Sequence, residues 1–368
     1  MGVNPDKEKS RKRATLKEVA AAVGVSPATV SNAYNRPDQL SLELRGKVME
    51  AARQLGYPGP DPTARGLRRG RAGAIGVLYT SRLSYAFADP AAVLFFEGVA
   101  RAAEEAGLGL LLVPGSISGR EDPVSVMGAA VDGFVVYCMA EDDLMIEAVR
   151  ERRLPAVLVD DPPGASAGDF PIVGVDDEGG ARAAAEHLVG LGHRHIAVIS
   201  FGLVAHPEGG FADIRRQARA TFRPIRLRLD GYEEGIRTAG VRWSDVPVYE
   251  CPENVPQGGV EAARVLLGMD PRPTALLVTS DQLAFGVIEA VKGMGLSVPG
   301  DVSVIGFDDV PEAARSDPPL TTVHQDHVEK GLLAGRLLVS RLAGDESEAT
   351  KILPTRLVER ESTAPPGG

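Results

Sequence analysis

TLKEVAAAVGVSPATVSNAYN, residues 15–35, reads as two short helices hinged at a glycine corner. Thr15 is placed to cap the first helix, and Glu18 stands at the reciprocal position of a capping box. Leu16, Val19, Ala20 and Val23 then recur at i, i+3, i+4 and i+7, one apolar stripe. Gly24 stops the helix, because glycine alone enters a left-handed turn without steric cost. Val25 plugs the corner. Ser26 caps the second helix and Pro27 takes its first position, where a missing N–H is harmless. Val30 and Tyr34 turn inward, leaving Ala28, Thr29, Ser31 and Asn32 on the outer face. A third helix is expected from Ser41, carrying Leu44, Val48, Ala52 and Leu55 inward and ending at Gly56. Helix, glycine turn and capped second helix together spell a helix-turn-helix.

The same stretch resembles the head of the lactose-repressor (LacI/GalR) family, and the resemblance runs on to RLVERESTAP near the C-terminus, covering roughly residues 14–363. It implies that the second helix lies in the major groove of double-stranded operator DNA. Pro27, Ala28 and Asn32 would then meet base edges, Asn32 pairing with adenine through its amide and the other two making apolar contact. Thr15, Ser26, Thr29, Ser31 and Asn35 would hold phosphates, Lys17 could do either, and Tyr57 joins the DNA-contacting set. The alternative for any one of these hydroxyls is a solvated helix face.

PGPDPTARGLRRGRAG, residues 58–73, follows. Its three early prolines forbid a helix and predict a stiff connector. The family resemblance implies a hinge helix beyond it that orders on DNA, with Leu67 as a minor-groove wedge and Arg65, Arg68 and Arg69 near phosphates. Two features depart from the family pattern: Gly66 stands where serine is usual, and the spacing from Tyr57 to Leu67 is one residue longer. The alternative is a flexible linker with an incidental leucine.

Charge supports a polyanion at one end only. Residues 1–71 hold 14 Lys and Arg against 7 Asp and Glu, whereas the remainder holds 26 against 43. No run of eighteen apolar residues occurs, which argues against a bilayer span, and the polar N-terminus lacks a secretory pattern, so a cytoplasmic protein is expected. Two cysteines, Cys138 and Cys251, are too few and too distant for a Cys-x-x-Cys metal site.

From Ala74 onward, apolar runs such as AIGVLY (74–79), PAVLVD (155–160), ALLVTS (275–280) and VSVIGF (302–307) alternate with amphipathic helical stretches. Continuous apolar strands joined by helices predict parallel sheets covered on both faces, and their number suggests two similar lobes. The expected fold is thus an all-α helix-turn-helix head joined to an α/β two-lobed core like that of periplasmic binding proteins. Its parts are a basic tail (1–13), the head (14–59), a hinge (60–72), a first lobe (73–172 and 327–354), a second lobe (173–326 and 355–363) and a short tail (364–368).

Ligands of open α/β sheets bind beyond the carboxyl ends of strands, which singles out Thr80, Ser81, Asp160, Thr279, Ser280, Asp281, Asp308 and Asp309. By resemblance Asp160, Arg228, Asp281 and Gln325 match effector-contacting positions, and Phe87 could stack on a sugar face. Structural alternatives exist for three of them: Asp160 as a turn cap, Arg228 paired with Asp230 or Glu233, and Phe87 as packing. Asp308-Asp309 reads as loop chemistry rather than a metal pair, and His193 and His195 as structural. The long stretch 201–227, with Arg215, Arg216 and Arg219, reads as a flap over the cleft or a partner site. No P-loop, dinucleotide fingerprint or nucleophile elbow is present. The sequence therefore predicts no enzyme, no cofactor and no metal. It predicts a homodimeric repressor of sugar or carbohydrate catabolism genes, binding a palindromic operator and released or engaged by a small-molecule effector. The remaining rival, a solute-binding protein, suits the body but not the head.

Overall fold

The computed structural model describes residues 14–59, 70–79, 83–117, 120–121, 123–137, 139, 144–160, 170–203, 207, 209–345 and 350–367. Chain contacts divide it between Ala72 and Gly73 into two units.

In the first unit three helices enclose a very small core: α1 (Leu16–Val23), α2 (Pro27–Asn35) and α3 (Leu42–Leu55). The capping box of Thr15 and Glu18 is formed, Gly24 ends α1 at φ 75°, and the Ser26 hydroxyl accepts from the Thr29 N–H over Pro27. Val19, Ala20, Val30, Ala33, Val48 and Ala52 are buried, with Leu16, Val23, Val25 and Tyr34 packed around them. Leu55 departs from expectation and is 43% exposed. Its helix has 14 residues against 8 and 9 in its neighbours, so its last turn overhangs a core that α1 and α2 are too short to extend.

The second unit is built on two sheets. The first is six-stranded and wholly parallel, in the order Lys351–Leu353, Ile172–Val175, Ala156–Val159, Gly133–Tyr137, Ala74–Tyr79, Gly109–Pro114. The second is seven-stranded, in the order Arg356–Val358, Thr321–His324, Ser303–Asp308, Ala275–Val278, Ile196–Phe201, Val248–Cys251, Gly210–Phe211. Only its two outermost strands run antiparallel. Inner strands such as Gly133–Tyr137 and Ser303–Asp308 are buried along their whole length, the signature of sheets covered on both faces. Ile172–Val175 belongs to the first sheet, so the chain passes to the second lobe just after Val175, slightly later than the 172/173 boundary expected. Among the described residues no helix is long and apolar enough to cross a membrane.

Helix pairs cover the sheets through glycine. Helix Pro90–Glu105 meets helix His327–Leu342 where Gly98 lies against the Val328 carbonyl and Gly331 against the Phe95 carbonyl. Helix Asp177–Leu191 meets helix Arg223–Arg237 through Gly231 and Gly235 in the same manner. A Cβ at any of these positions would collide with backbone, which cannot yield as a flexible side chain does. These contacts fix the heights of Lys330, Asp177 and Arg228 over the sheets. Gly98→Ala is therefore expected to destabilise the body by about 1–3 kcal/mol, the usual overpacking range, as read from urea unfolding of the full chain. Gly107→Ala would not serve as a control, because Gly107 has a positive φ; Gly190→Ala, inside a helix of the same unit with open space around it, isolates the gain of about 1 kcal/mol in helix propensity that such a change carries.

Candidate nucleic-acid interface and ligand cleft

On the head, the start of α2 is the exposed end. Ser26, Pro27 and Ala28 are exposed, while Thr29, Ser31, Asn32 and Asn35 are half-buried. The Ser26 and Thr29 hydroxyls lie 2.9 Å apart, and the Asn35 amide donates to the Ser31 carbonyl at 3.0 Å. Both helix N-termini, with Thr15 and Ser26 as caps, leave backbone N–H groups that favour phosphate oxygens. Lys17 is exposed one residue into α1. Tyr57 packs edge-on to Tyr34, with ring centroids 6.0 Å apart, and thereby anchors the end of α3. Arg65, Leu67, Arg68 and Arg69 lie outside the described residues, as do Thr80 and Ser81.

In the body the predicted cleft residues converge, but on one another. Lys330 is 1% exposed, and its ammonium donates to Asp160 Oδ2 at 2.6 Å and to Gln325 Oε1 at 3.0 Å. The Gln325 amide donates in turn to Asp308 Oδ1 at 2.7 Å. Arg228 lies 3.7 Å from Asp308, donates through Nε to Asp177 Oδ1 at 2.8 Å and through Nη1 to the Thr279 carbonyl at 2.6 Å. Its guanidinium also stacks over the Phe307 ring, 3.7 Å from the centroid. Arg228 thus pairs with neither Asp230 nor Glu233, and Asp160 does more than cap a turn. Asp281 sits at the edge of this group, fully buried, its two oxygens accepting from the Thr322 hydroxyl at 2.5 Å and the Val310 N–H at 2.9 Å. Phe87 stands apart, 67% exposed, so it is not a packing residue. Asp309 holds His324 and Arg360. His193 is buried between Thr274, Ser303 and the Ala364 carbonyl, a structural role.

The electrostatics follow from burial. Desolvation pushes the carboxyls of Asp89, Asp177 and Asp281 above the ordinary range, Asp281 furthest. Desolvation likewise lifts Asp308 to about 7, with Asp89 adding to the rise and Arg228 opposing it. Burial alone would lower the Arg228 guanidinium, but Asp177 and Asp308 hold it above its usual value. His327 is driven well below 6.5 by burial and by the neighbouring Lys330 and Arg228 charges, so the ring is neutral at pH 7. Two polar groups remain without hydrogen-bond partners in this buried region: Asp160 Oδ1, and both ring nitrogens of His327. Asp160 and Asp177 border a cavity of about 140 Å³, together with Gly174, Arg223, Leu227 and Ile352.

Lys330, Asp177 and His327 were not singled out from the sequence. A signal for Lys330 existed: with Ala334, Leu337 and Leu338 it lies on the buried face of its helix, where a lysine is out of place. Asp177 lies two residues past the end of strand Ile172–Val175, close to where the rule that flagged Asp160 points.

Residues 15–59 match the lacI family of bacterial regulatory proteins, and residues 185–363 match the periplasmic binding protein-like domain. An HTH-type transcriptional regulator of Mycolicibacterium smegmatis is 42% identical over 365 residues, 96% of this chain and 98% of the relative. The chain belongs to the LacI family. The solved complex of the transcriptional regulator CelR with cellobiose is 29% identical with a TM-score of 0.68, covering 95% of this chain and 100% of that one. The lac repressor dimer bound to operator and the anti-inducer ONPF is 27% identical with a TM-score of 0.77, covering 96% and 100%. The LacI-family chain is thus a DNA-binding transcription regulator, with a helix-turn-helix head and a periplasmic-binding-protein-like core, and its relatives are regulators rather than enzymes.

Asp308 makes the stability of this LacI-family core depend on pH. Its value of about 7 lies above the ordinary 3.8, so across that window the folded protein keeps a proton that the unfolded chain has released. The contribution is fully present below pH 3.8 and is lost as pH rises through 7. The urea midpoint should therefore fall between about pH 5 and pH 8, and Asp308→Asn should flatten that fall. Parallel pH profiles for the two proteins would remove Asp308 as the cause.

Proposed function

We propose that this LacI-family regulator is a homodimeric repressor of sugar or carbohydrate catabolism genes, binding a palindromic operator. A small polyhydroxylated effector in the interlobe cleft releases or engages it. The observation that carries the effector reading is the unpartnered Asp160 Oδ1, a buried acceptor beside a cavity it shares with Asp177. A buried acceptor without a donor costs about 1–3 kcal/mol, and a ligand hydroxyl is the group that relieves it. Sugar binding by the CelR relative, whose complex holds cellobiose, supports the same class.

The DNA reading rests on the exposed start of α2. One head of this size spans only a few base pairs, so specificity calls for two heads on a two-fold site, as the lac repressor dimer on its operator supports. Pro27, Ala28 and Asn32 read bases in this reading, with Thr15, Lys17, Ser26, Thr29, Ser31 and Asn35 on the backbone. Arg65 and Leu67 remain assigned to the hinge, and Phe87, Asp160, Arg228, Asp281 and Gln325 to the effector, with Gln325 also holding Lys330.

Two experiments test the halves separately. Asn32→Ala should weaken operator binding by about 1–3 kcal/mol in a mobility-shift titration and leave nonspecific DNA binding unchanged. Equal losses on both DNAs would remove Asn32 as a base reader. In a thermal-shift screen of mono- and disaccharides, the sugar that stabilises the full chain should also change operator occupancy, and Asp160→Ala should abolish both effects. A panel of sugars with no stabilising member would refute the polyol class.

A further inference from the structure

A second cavity lies away from Asp160 and Asp177. It lies on the second lobe, about 830 Å³, between the edge strand Gly210–Phe211, the short helix Ile214–Gln217 and the segment Trp243–Val248. Its floor is built. Glu250, fully buried, forms an ion pair with Arg216 and accepts from the Leu203 N–H at 2.5 Å. The Trp243 indole N–H donates to Gln217 Oε1 at 2.8 Å, and the Gln217 amide donates to the Ala212 carbonyl at 2.7 Å. The stretch once read as a flap or partner site is, in its described part, pinned to the sheet.

The rim is different. Arg215 and Arg219 line the cavity, both are exposed, and neither has an ion-pair partner among the described residues. Asp213 is the one carboxylate on the lining, and its Oδ1 is engaged by the Arg216 N–H that it caps. Free guanidinium groups beside an indole, on a body that is strongly acidic as a whole, make a local site for an anion with a flat face. Strand addition by a peptide is disfavoured, because Arg216 already donates to the Gly209 carbonyl at 3.2 Å and to the Phe211 carbonyl at 3.5 Å. The volume falls in the range of small-molecule sites, roughly 300–1,000 Å³.

We propose that this cavity is a second ligand site, separate from the cleft, for a small organic anion: a carboxylate or phosphate carried on a flat ring. Arg215 and Arg219 clamp the anionic group, and Trp243 takes the ring face. The site does not depend on the effector reading of the cleft.

Trp243 is the single tryptophan of the chain, so all indole fluorescence comes from a residue that lines this cavity. The full-length protein is titrated with benzoate, adenosine monophosphate, inorganic phosphate and adenosine, exciting only the indole. Benzoate or the monophosphate should give a saturable change, and the response to either distinguishes a carboxylate from a phosphate ligand. Phosphate or adenosine alone should bind at least about tenfold more weakly. The Arg215→Ala/Arg219→Ala variant should lose about tenfold or more in affinity with an unchanged melting temperature, since both side chains are exposed. Asp160→Ala should leave the response intact. No saturable change with benzoate or the monophosphate at millimolar concentration, an equal response in the double variant, or a response to a poly-glutamate peptide alone would overturn the proposal.

Discussion

An ammonium group with almost no access to water must be answered by the protein, and Lys330 is answered by two chain segments at once. Asp160 ends a strand of the first sheet, while Gln325 belongs to the passage from the second sheet into helix His327–Leu342. A buried cation that loses its carboxylate costs several kcal/mol, so neither segment can shift far without the other. Gln325 hands the constraint to Asp308, and Arg228 carries it to Asp177 at the start of the next helix. The result is one chain of charge running through the places where the backbone crosses from lobe to lobe. Those crossings are tied to each other as well, by the Asp176 N–H on the Leu353 carbonyl and the Thr355 hydroxyl on the Asp176 carbonyl.

Such an arrangement gives a ligand leverage. A molecule can bias two lobe arrangements only by binding them unequally, and a group inserted here competes directly with the bonds that set the lobes. A second tether supports this view from the cleft's other side: the Tyr85 hydroxyl of the first lobe donates to the Asn254 carbonyl at 2.8 Å, and Ser280 donates to the same asparagine's side chain. Both tethers are polar, so each is a pairing that another hydrogen-bonding group of matching charge can replace, whereas simple rupture leaves Lys330 buried and unanswered.

Much of this was legible beforehand, for reasons that differ by element. The head is short-range chemistry: the Thr15 cap, the Gly24 corner and Pro27 at a first position each act on their nearest neighbours, and each is formed as read. The strands were legible because buried parallel strands must be apolar throughout. The cleft was legible only in part. Asp160, Arg228, Asp281 and Gln325 can be picked as candidates, but their mutual pairing depends on glycine-to-backbone helix contacts between residues far apart in the chain, such as Gly98 with Val328 and Gly231 with Glu178. Lys330 hid for the same reason, since a lysine within a helix normally reaches solvent, and only the tertiary contact of its helix buries it. Leu55 misled because the helix period says which face it lies on, not whether a neighbour is long enough to cover that face.

Burial raises the carboxyls of Asp177, Asp281 and Asp308, Asp308 to about 7, while the Arg228 and Lys330 charges oppose the rise at Asp177 and Asp308. A ligand that donates hydroxyl hydrogens to those oxygens favours their ionised form, because hydrogen bonding to a carboxylate stabilises it against protonation. A hydrogen-bond donor that reached Asp308 would therefore be linked to release of its proton, because that carboxyl is poised near pH 7. Lys330 meets the same group through Gln325, so the titration of Asp308 and the bonds that tie the two sheets together share the same few atoms.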